Sequence, residues 1–171
     1  MTHVIQGGWS AGQGALLSQM YQERKKVFID LLRWDLPALD GRYEIDEFDT
    51  PATIYLIMAR SDGTHLGSLR LLPTTQPNVL GSVFPSLCDA TPPQGPDVWE
   101  ISRLCLSRSI RADERRQVRD QLAIAMERQM TLEHLVRLAV DHADYVLRLN
   151  RGAHRHRTLR LFRFRWRCRL A

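Results

Sequence analysis

"TIYLIMARSDGTHLGSLRLLP", residues 53–73, is the stretch on which the fold turns. Its two ends, "TIYLIMA" (53–59) and "THLGSLRLLP" (64–73), are apolar runs of strand length, and Ser61-Asp62-Gly63 between them is a turn signal. The spacing predicts a β-hairpin. Further along, the Pro-rich "TPPQGP" (91–96) breaks the chain before "DVWEISRLCLS" (97–107), whose β-branched and apolar content predicts a third strand. Strict alternation there sets Trp99, Ile101 and Arg103 on one face and Glu100, Ser102 and Leu104 on the other, provided no bulge intervenes. Residues 113–143 contain neither Gly nor Pro, and Leu122, Met126, Met130, Leu135 and Leu138 form a candidate buried stripe, so a long helix is predicted. "DYVLRLN" (144–150) then reads as another strand. Toward the N-terminus, Leu16, Met20, Tyr21, Val27, Phe28, Leu31 and Leu32 recur near helical spacing over 15–34. Asp35, Pro37 and Gly41 stop that helix. Helix, hairpin, strand, helix, strand describes one α/β domain, a mixed sheet flanked by helices, without an internal repeat or a dividing linker.

Composition agrees with a single domain that has a real core, since the chain has 171 residues and is 44% hydrophobic. It holds no run of about 18 apolar residues, and "MTHVIQGGWSAGQG" lacks the basic-then-apolar order of a signal peptide. A cytoplasmic protein with no stable membrane insertion is expected. Cys88, Cys105 and Cys168 are odd in number and lack any CxxC spacing, which argues for free thiols and against a disulfide framework or a bound metal. The net charge of +5 is unevenly placed, because residues 148–171 carry nine arginines and no acid, leaving −4 for everything before them.

"YEIDEFDTP" (43–51) gathers four carboxylates, Glu44, Asp46, Glu47 and Asp49, around two aromatic rings. A solvated loop that pairs with nearby arginines accounts for it without any ligand. A calcium loop fits poorly, because the alternating ligands and central Gly of an EF-hand are missing. Arg24 and Phe28, four residues apart on the first helix, share a face, and Trp34 follows. An arginine and two aromatics close to carboxylates also suit an amphoteric ligand that carries a ring. Packing of the helix on the sheet, with Arg24 on its rim, explains the same spacing.

Taken together with "GSLRLLPTTQP" (67–77) and "WEISR" (99–103), these residues resemble the acyl-homoserine lactone synthases, the autoinducer synthases of bacterial quorum sensing. The resemblance is carried by Arg24, Phe28, Trp34, Asp46, Phe48, Asp49, Gly67, Arg70, Leu71, Leu72, Pro73, Thr74, Thr75, Phe84, Trp99, Glu100, Ser102 and Arg103, in order and at matching separations. It covers roughly residues 20 to 106 and, more loosely, the helix beyond.

The resemblance implies a domain similar to the N-acetyltransferase fold, with S-adenosylmethionine as substrate, no cofactor, and an acylated carrier protein as acyl donor. Products would be an acyl-homoserine lactone, free carrier protein and methylthioadenosine. Arg24, Phe28, Trp34, Asp46 and Asp49 would form the S-adenosylmethionine side. Glu100, Arg70 and Arg103 would be catalytic, with Glu100 as the base for amine acylation. Phe84, Leu104 and Met126 are acyl-pocket candidates by apolar character and position, against a strong prior of ordinary core packing, and Ser102 is placed with them. Ser102 is not a hydrolase nucleophile, lacking a glycine elbow and a positioned His and Asp. A structural ion pair between Glu100 and Arg103 is the plain alternative to catalysis. A generic acetyl-coenzyme A acetyltransferase would need a glycine-rich pyrophosphate loop, and "SRSIRADERRQ" (107–117) has none.

Two features depart from the pattern. Leu104 stands where an aromatic commonly follows Ser-Arg, a change in volume on the acyl side. The C-terminal "RLNRGAHRHRTLRLFRFRWRCRLA" alternates arginine with apolar residues and shows none of the family's closing elements. As a strand it would suit nonspecific nucleic-acid contact or an anionic membrane, or be a solvated edge. Composition favours a third reading, a truncated or out-of-frame terminus. The expected division is therefore an incomplete autoinducer-synthase-like domain, 1–147, and an atypical tail, 148–171. The function class paired against a working synthase is a catalytically impaired remnant with an anion-binding tail.

Overall fold

The computed structural model describes residues 1–6, 13–88 and 90–130. In chain order these form strand β1 (Thr2–Gln6), helix α1 (Gly14–Arg24), a π-helical continuation (Lys25–Leu31), short strands β2 (Ala38–Leu39) and β3 (Tyr43–Glu44), and strands β4 (Ile54–Ala59) and β5 (His65–Pro73). A one-turn helix α2 (Val79–Ser82), a 3₁₀ turn (Pro85–Leu87), strand β6 (Trp99–Leu106) and helix α3 (Ala112–Met130) complete them. The second half of the expected long helix, the strand at 144–150, the tail, and Cys168 lie outside the described residues.

The hairpin is β4–β5, antiparallel, with Ile54 opposite Leu71 and Met58 opposite Gly67. Gly63 turns it at φ 85°, a conformation that costs glycine little. Antiparallel pairing then extends the sheet to the order β1-β4-β5-β6. Strand β1 was not expected. Thr2, Val4 and Ile5 carry β-branched content, yet five residues whose partner lies some fifty residues away give no pattern of their own. A second small sheet pairs β2 with β3 through Asp40 and Gly41, both at positive φ, so Gly41, read from the sequence as a helix stop, turns a hairpin.

Side-chain alternation divides the sheet into two faces. Ile54, Leu56, Leu69, Leu71 and Ile101 pack with Val118 and Leu122 of α3. Ile5, Tyr55 and Ile57 pack with Leu17, Met20 and Tyr21 of α1. The contact with α3 is closest at Gly67, where an added Cβ would lie 2.7 Å from Val118 Cγ1, 2.8 Å from Leu106 Cδ2 and 3.3 Å from the Cys105 carbonyl. Leu106 can rotate, but the β-branched Val118 is stiff and the carbonyl is fixed in the sheet. Gly67→Ala is expected to cost about 1–3 kcal/mol of stability in urea denaturation; an unchanged midpoint would show that α3 shifts freely on the sheet.

His65, at the start of β5, is 2% exposed and has no hydrogen-bond partner on either ring nitrogen. Burial lowers its pKa from 6.5 to about 4, Glu23 opposing and Lys26 assisting. The folded state therefore holds a neutral imidazole while the unfolded chain takes up a proton below about pH 6.5. Stability from this residue is present above that pH and is lost as pH falls toward 4. The unfolding free energy of wild type relative to His65→Leu is expected to drop by about 3 kcal/mol between about pH 7 and 4. A constant difference across that range would mean that His65 titrates normally.

Candidate active site

The helix expected over 15–34 changes character at Lys25, continuing as a π-helix to Leu31. Its end is closed by Arg33 at φ 60°, a left-handed residue that turns the chain so that Trp34 N–H donates to the Phe28 carbonyl at 3.0 Å. This return stacks Trp34 on Phe28, with ring centroids 5.0 Å apart and planes 17° apart. Arg103 lies over the Phe28 ring, 5.6 Å from its centroid. The end of the widened helix and the turn after it thus bring Phe28 and Trp34 together, with Arg103 of β6 over Phe28.

Arg103 reaches this position through a β-bulge. Ser68 pairs with Cys105 and Arg70 with Ser102, so β5 advances two residues while β6 advances three. The additional residue is Arg103, at φ 53°. Alternation had set Arg103 opposite Glu100 and Ser102; the bulge corrects this, turning Ser102 and Arg103 toward the same side. Leu104 then packs against the α3-side core with Met126 and Trp99.

Three guanidiniums and three carboxylates meet between α1, β3, the 45–53 loop and the sheet. Arg24 Nε donates to Glu44, and its Nη1 and Nη2 donate to the two oxygens of Asp49 at 2.9 Å each. Arg70 donates to Asp46 at 2.6 and 3.1 Å, approaches Asp49 at 3.0 Å, and gives its Nε–H to the Ser102 hydroxyl at 3.0 Å. Arg103 bridges Glu44 at 3.1 Å and Asp46 at 2.7 Å. Asp49 is the hub, because it also accepts from the Tyr55 hydroxyl at 2.8 Å and the Asp46 amide at 2.9 Å. Tyr21 donates in turn to Tyr55 at 3.0 Å.

Charges balance within this group, which is what permits so many ions away from water. Burial opposes ionisation of Asp49, but Arg24 and then Arg70 outweigh it and hold the carboxyl well below the usual range. Burial likewise opposes charge on Arg24, and Asp49 and Glu44 more than compensate. Of the four carboxylates in "YEIDEFDTP", three turn inward and Glu47 faces solvent. Arg24, expected on the helix rim, is 1% exposed. Glu44, Tyr21 and Tyr55 were not singled out from the sequence; Glu44 stood in the acidic cluster, whereas nothing in the sequence signals the tyrosines' hydrogen bonds.

Glu100 stands apart from these ion pairs and forms none with Arg103. It is 4% exposed, and its Oε2 accepts the Leu80 N–H at 2.7 Å. Burial pushes its pKa up; the Leu80 amide and the charges of Arg70 and Arg103 pull the other way without cancelling it. A carboxylate so placed is a stronger base than an exposed one. Among the acyl-pocket candidates, Ser102 is taken up by Arg70, Leu104 and Met126 lie against the α3-side core, and Phe84 is half exposed beside α2. No group of three or more His, Cys, Asp or Glu among the described residues has the arrangement to hold a metal ion, and no described helix is long and apolar enough to cross a membrane.

A family model described as autoinducer synthase matches residues 11–149. The chain belongs to the autoinducer synthase family. An acyl-homoserine-lactone synthase of Ralstonia solanacearum is 39% identical over 105 residues, 60% of this chain and 51% of that one. A second, from Acinetobacter nosocomialis, is 38% identical over 102 residues, 59% of this chain and 55% of that one. The chain therefore spans about half the length of the curated family members it matches. Among solved structures, the coenzyme A-dependent acyl-homoserine lactone synthase BjaI, with S-adenosylmethionine and isopentyl-coenzyme A, is 31% identical at a TM-score of 0.67. That match covers 76% of this chain and 60% of BjaI. The α/β fold expected for an autoinducer synthase is thus the fold of solved family members.

Proposed function

We propose that this autoinducer synthase family member makes an acyl-homoserine lactone from S-adenosylmethionine and an acyl thioester. The observation that carries the reading is Glu100, a buried carboxylate with a raised pKa on the strand that also carries Ser102 and Arg103. In the first step the substrate amine attacks the thioester carbonyl, the N–C bond forms as the C–S bond breaks, and Glu100 takes the ammonium proton directly or through water. In the second, the substrate carboxylate attacks the methionyl γ-carbon and expels the sulfonium as neutral methylthioadenosine. Ring closure is intramolecular and neutralises charge, so orientation and exclusion of water favour it.

In this reading Trp34, backed by Phe28, forms the aromatic wall for the thioadenosine part of S-adenosylmethionine. Arg24, Arg70, Asp46 and Asp49, committed to one another and buried, hold the wall and β6 in register as positioning residues. Arg103, whose side chain is 10% exposed, links that network to the aromatic pair. The proposed donor is an acylated carrier protein, and acyl-coenzyme A is the thioester to compare, given the relative whose solved complex contains isopentyl-coenzyme A.

The test is incubation of the full chain with S-adenosylmethionine and each thioester class, read by mass spectrometry for lactone and methylthioadenosine in equal amounts. Equimolar products from one donor class support the reading and identify the donor. Folded protein that binds S-adenosylmethionine but yields neither product would sink it and favour an impaired remnant.

A further inference from the structure

Glu100 is anchored by an element that the proposed reaction does not itself use. Asn78 begins α2 with extended backbone (φ −141°, ψ 164°), and its Oδ1 accepts the Gly81 N–H at 2.9 Å. Its Nδ2 donates to the Gln76 carbonyl at 3.0 Å, and the residue is 9% exposed. The first turn of a helix leaves several N–H groups without intrahelical partners. Asn78 takes that of Gly81. The Leu80 N–H is thereby aimed outward, and its acceptor is the Glu100 carboxylate at 2.7 Å, twenty residues away in sequence.

The turn is itself fastened to the end of β6. Thr74 N–H donates to the Val98 carbonyl at 3.0 Å, and the Thr74 hydroxyl reaches the same carbonyl at 2.8 Å. Gly81 lies so close that a Cβ there would sit 3.2 Å from Asn78 Oδ1. Residues 74–81 therefore form a bracket with one end on the backbone before Glu100 and the other on its side chain.

We propose that Asn78 is a positioning residue for Glu100, acting through the Leu80 N–H to fix one carboxylate oxygen so that the other is presented to the substrate amine. The inference rests on the proposed role of Glu100 as base, but the geometry it describes is independent of turnover. A backbone N–H stabilises the ionised carboxylate, so losing it lets burial push Glu100 further up. The charged groups that act on Glu100 are Arg70, Arg103 and Asp46, and none of them is substituted in the variants named below.

Three variants of the full chain test this: Asn78→Ala, Asn78→Ser, which retains a neutral capping oxygen, and Leu80→Pro, which deletes the N–H at a first-turn position where proline is tolerated. Carbon-13 NMR of labelled glutamates, assigned with Glu100→Gln, gives the Glu100 titration midpoint. That midpoint is expected to rise by about half a unit to one unit in Asn78→Ala and Leu80→Pro, and to stay near wild type in Asn78→Ser. The acid limb of kcat/KM should move to higher pH by the same amount, with kcat lower by roughly tenfold and KM for S-adenosylmethionine little changed. A midpoint unmoved in Leu80→Pro overturns the proposal, even if Asn78→Ala fails to fold. A shifted midpoint in a chain whose wild type makes no methylthioadenosine upholds the positioning role and refutes the synthase reading.

Discussion

Arg24→Ala is expected to destabilise the fold by about 3–5 kcal/mol, the range found when one member of a buried ion group is removed. Its guanidinium is enclosed by Glu44 and by both oxygens of Asp49, and none of the three has water to replace it. Without it, three carboxylates face two guanidiniums in a dry space. Urea denaturation reads the loss as a lower midpoint at unchanged slope. Arg24→Met combined with Glu44→Gln restores the charge balance and should recover part of it, because residues in one network do not add independently. The pH dependence has a definite sign. Asp49 is held below its ordinary range, so its contribution is present above the usual carboxylate pKa and disappears as pH falls through the depressed folded value. Arg24→Ala should weaken that dependence. A loss under about 1 kcal/mol would mean that water enters the network readily.

Glu100→Gln is expected to lower turnover by roughly 10²–10⁴-fold with the melting temperature nearly unchanged. Glutamine has the same length, and its carbonyl oxygen can accept the Leu80 N–H, so the bracket over 74–81 survives. What is lost is the proton acceptor that amine acylation requires. Methylthioadenosine release measured over pH should lose its acid limb along with its rate, since that limb reports Glu100. Turnover within a few-fold of wild type would remove Glu100 from the mechanism and leave it as a cap on α2.

Much of the site was legible because its residues sit in runs with strong local signatures. The hairpin over 53–73, the β6 strand and the two helices follow from apolar periodicity, and the order of Arg24, Phe28, Trp34, Arg70 and Glu100 marked the family. Asn78 was legible in principle, as an Asn ahead of a short apolar run that contains Gly81. Strand β1 was not, because an edge strand of five residues has no periodicity to speak for it. Nor was the π-helical turn. Its widened backbone leaves the spacing of Val27, Phe28 and Leu31 close enough to that of an α-helix to hide the change.

By itself the sequence determined the composition of the site: which charges exist and which strands and helices carry them. Only the tertiary structure decided who pairs with whom. Arg24 meets Glu44 across 20 positions and Arg103 meets Glu44 across 59, and several acids nearby in sequence were equally eligible. The side of the sheet on which Arg103 emerges was decided by the register of β6 against β5. One additional residue in that ladder, at Arg103 itself, reverses the alternation beyond it. Periodicity is a property of one strand, whereas a bulge is a mismatch between two, so it takes form only when both strands are in place.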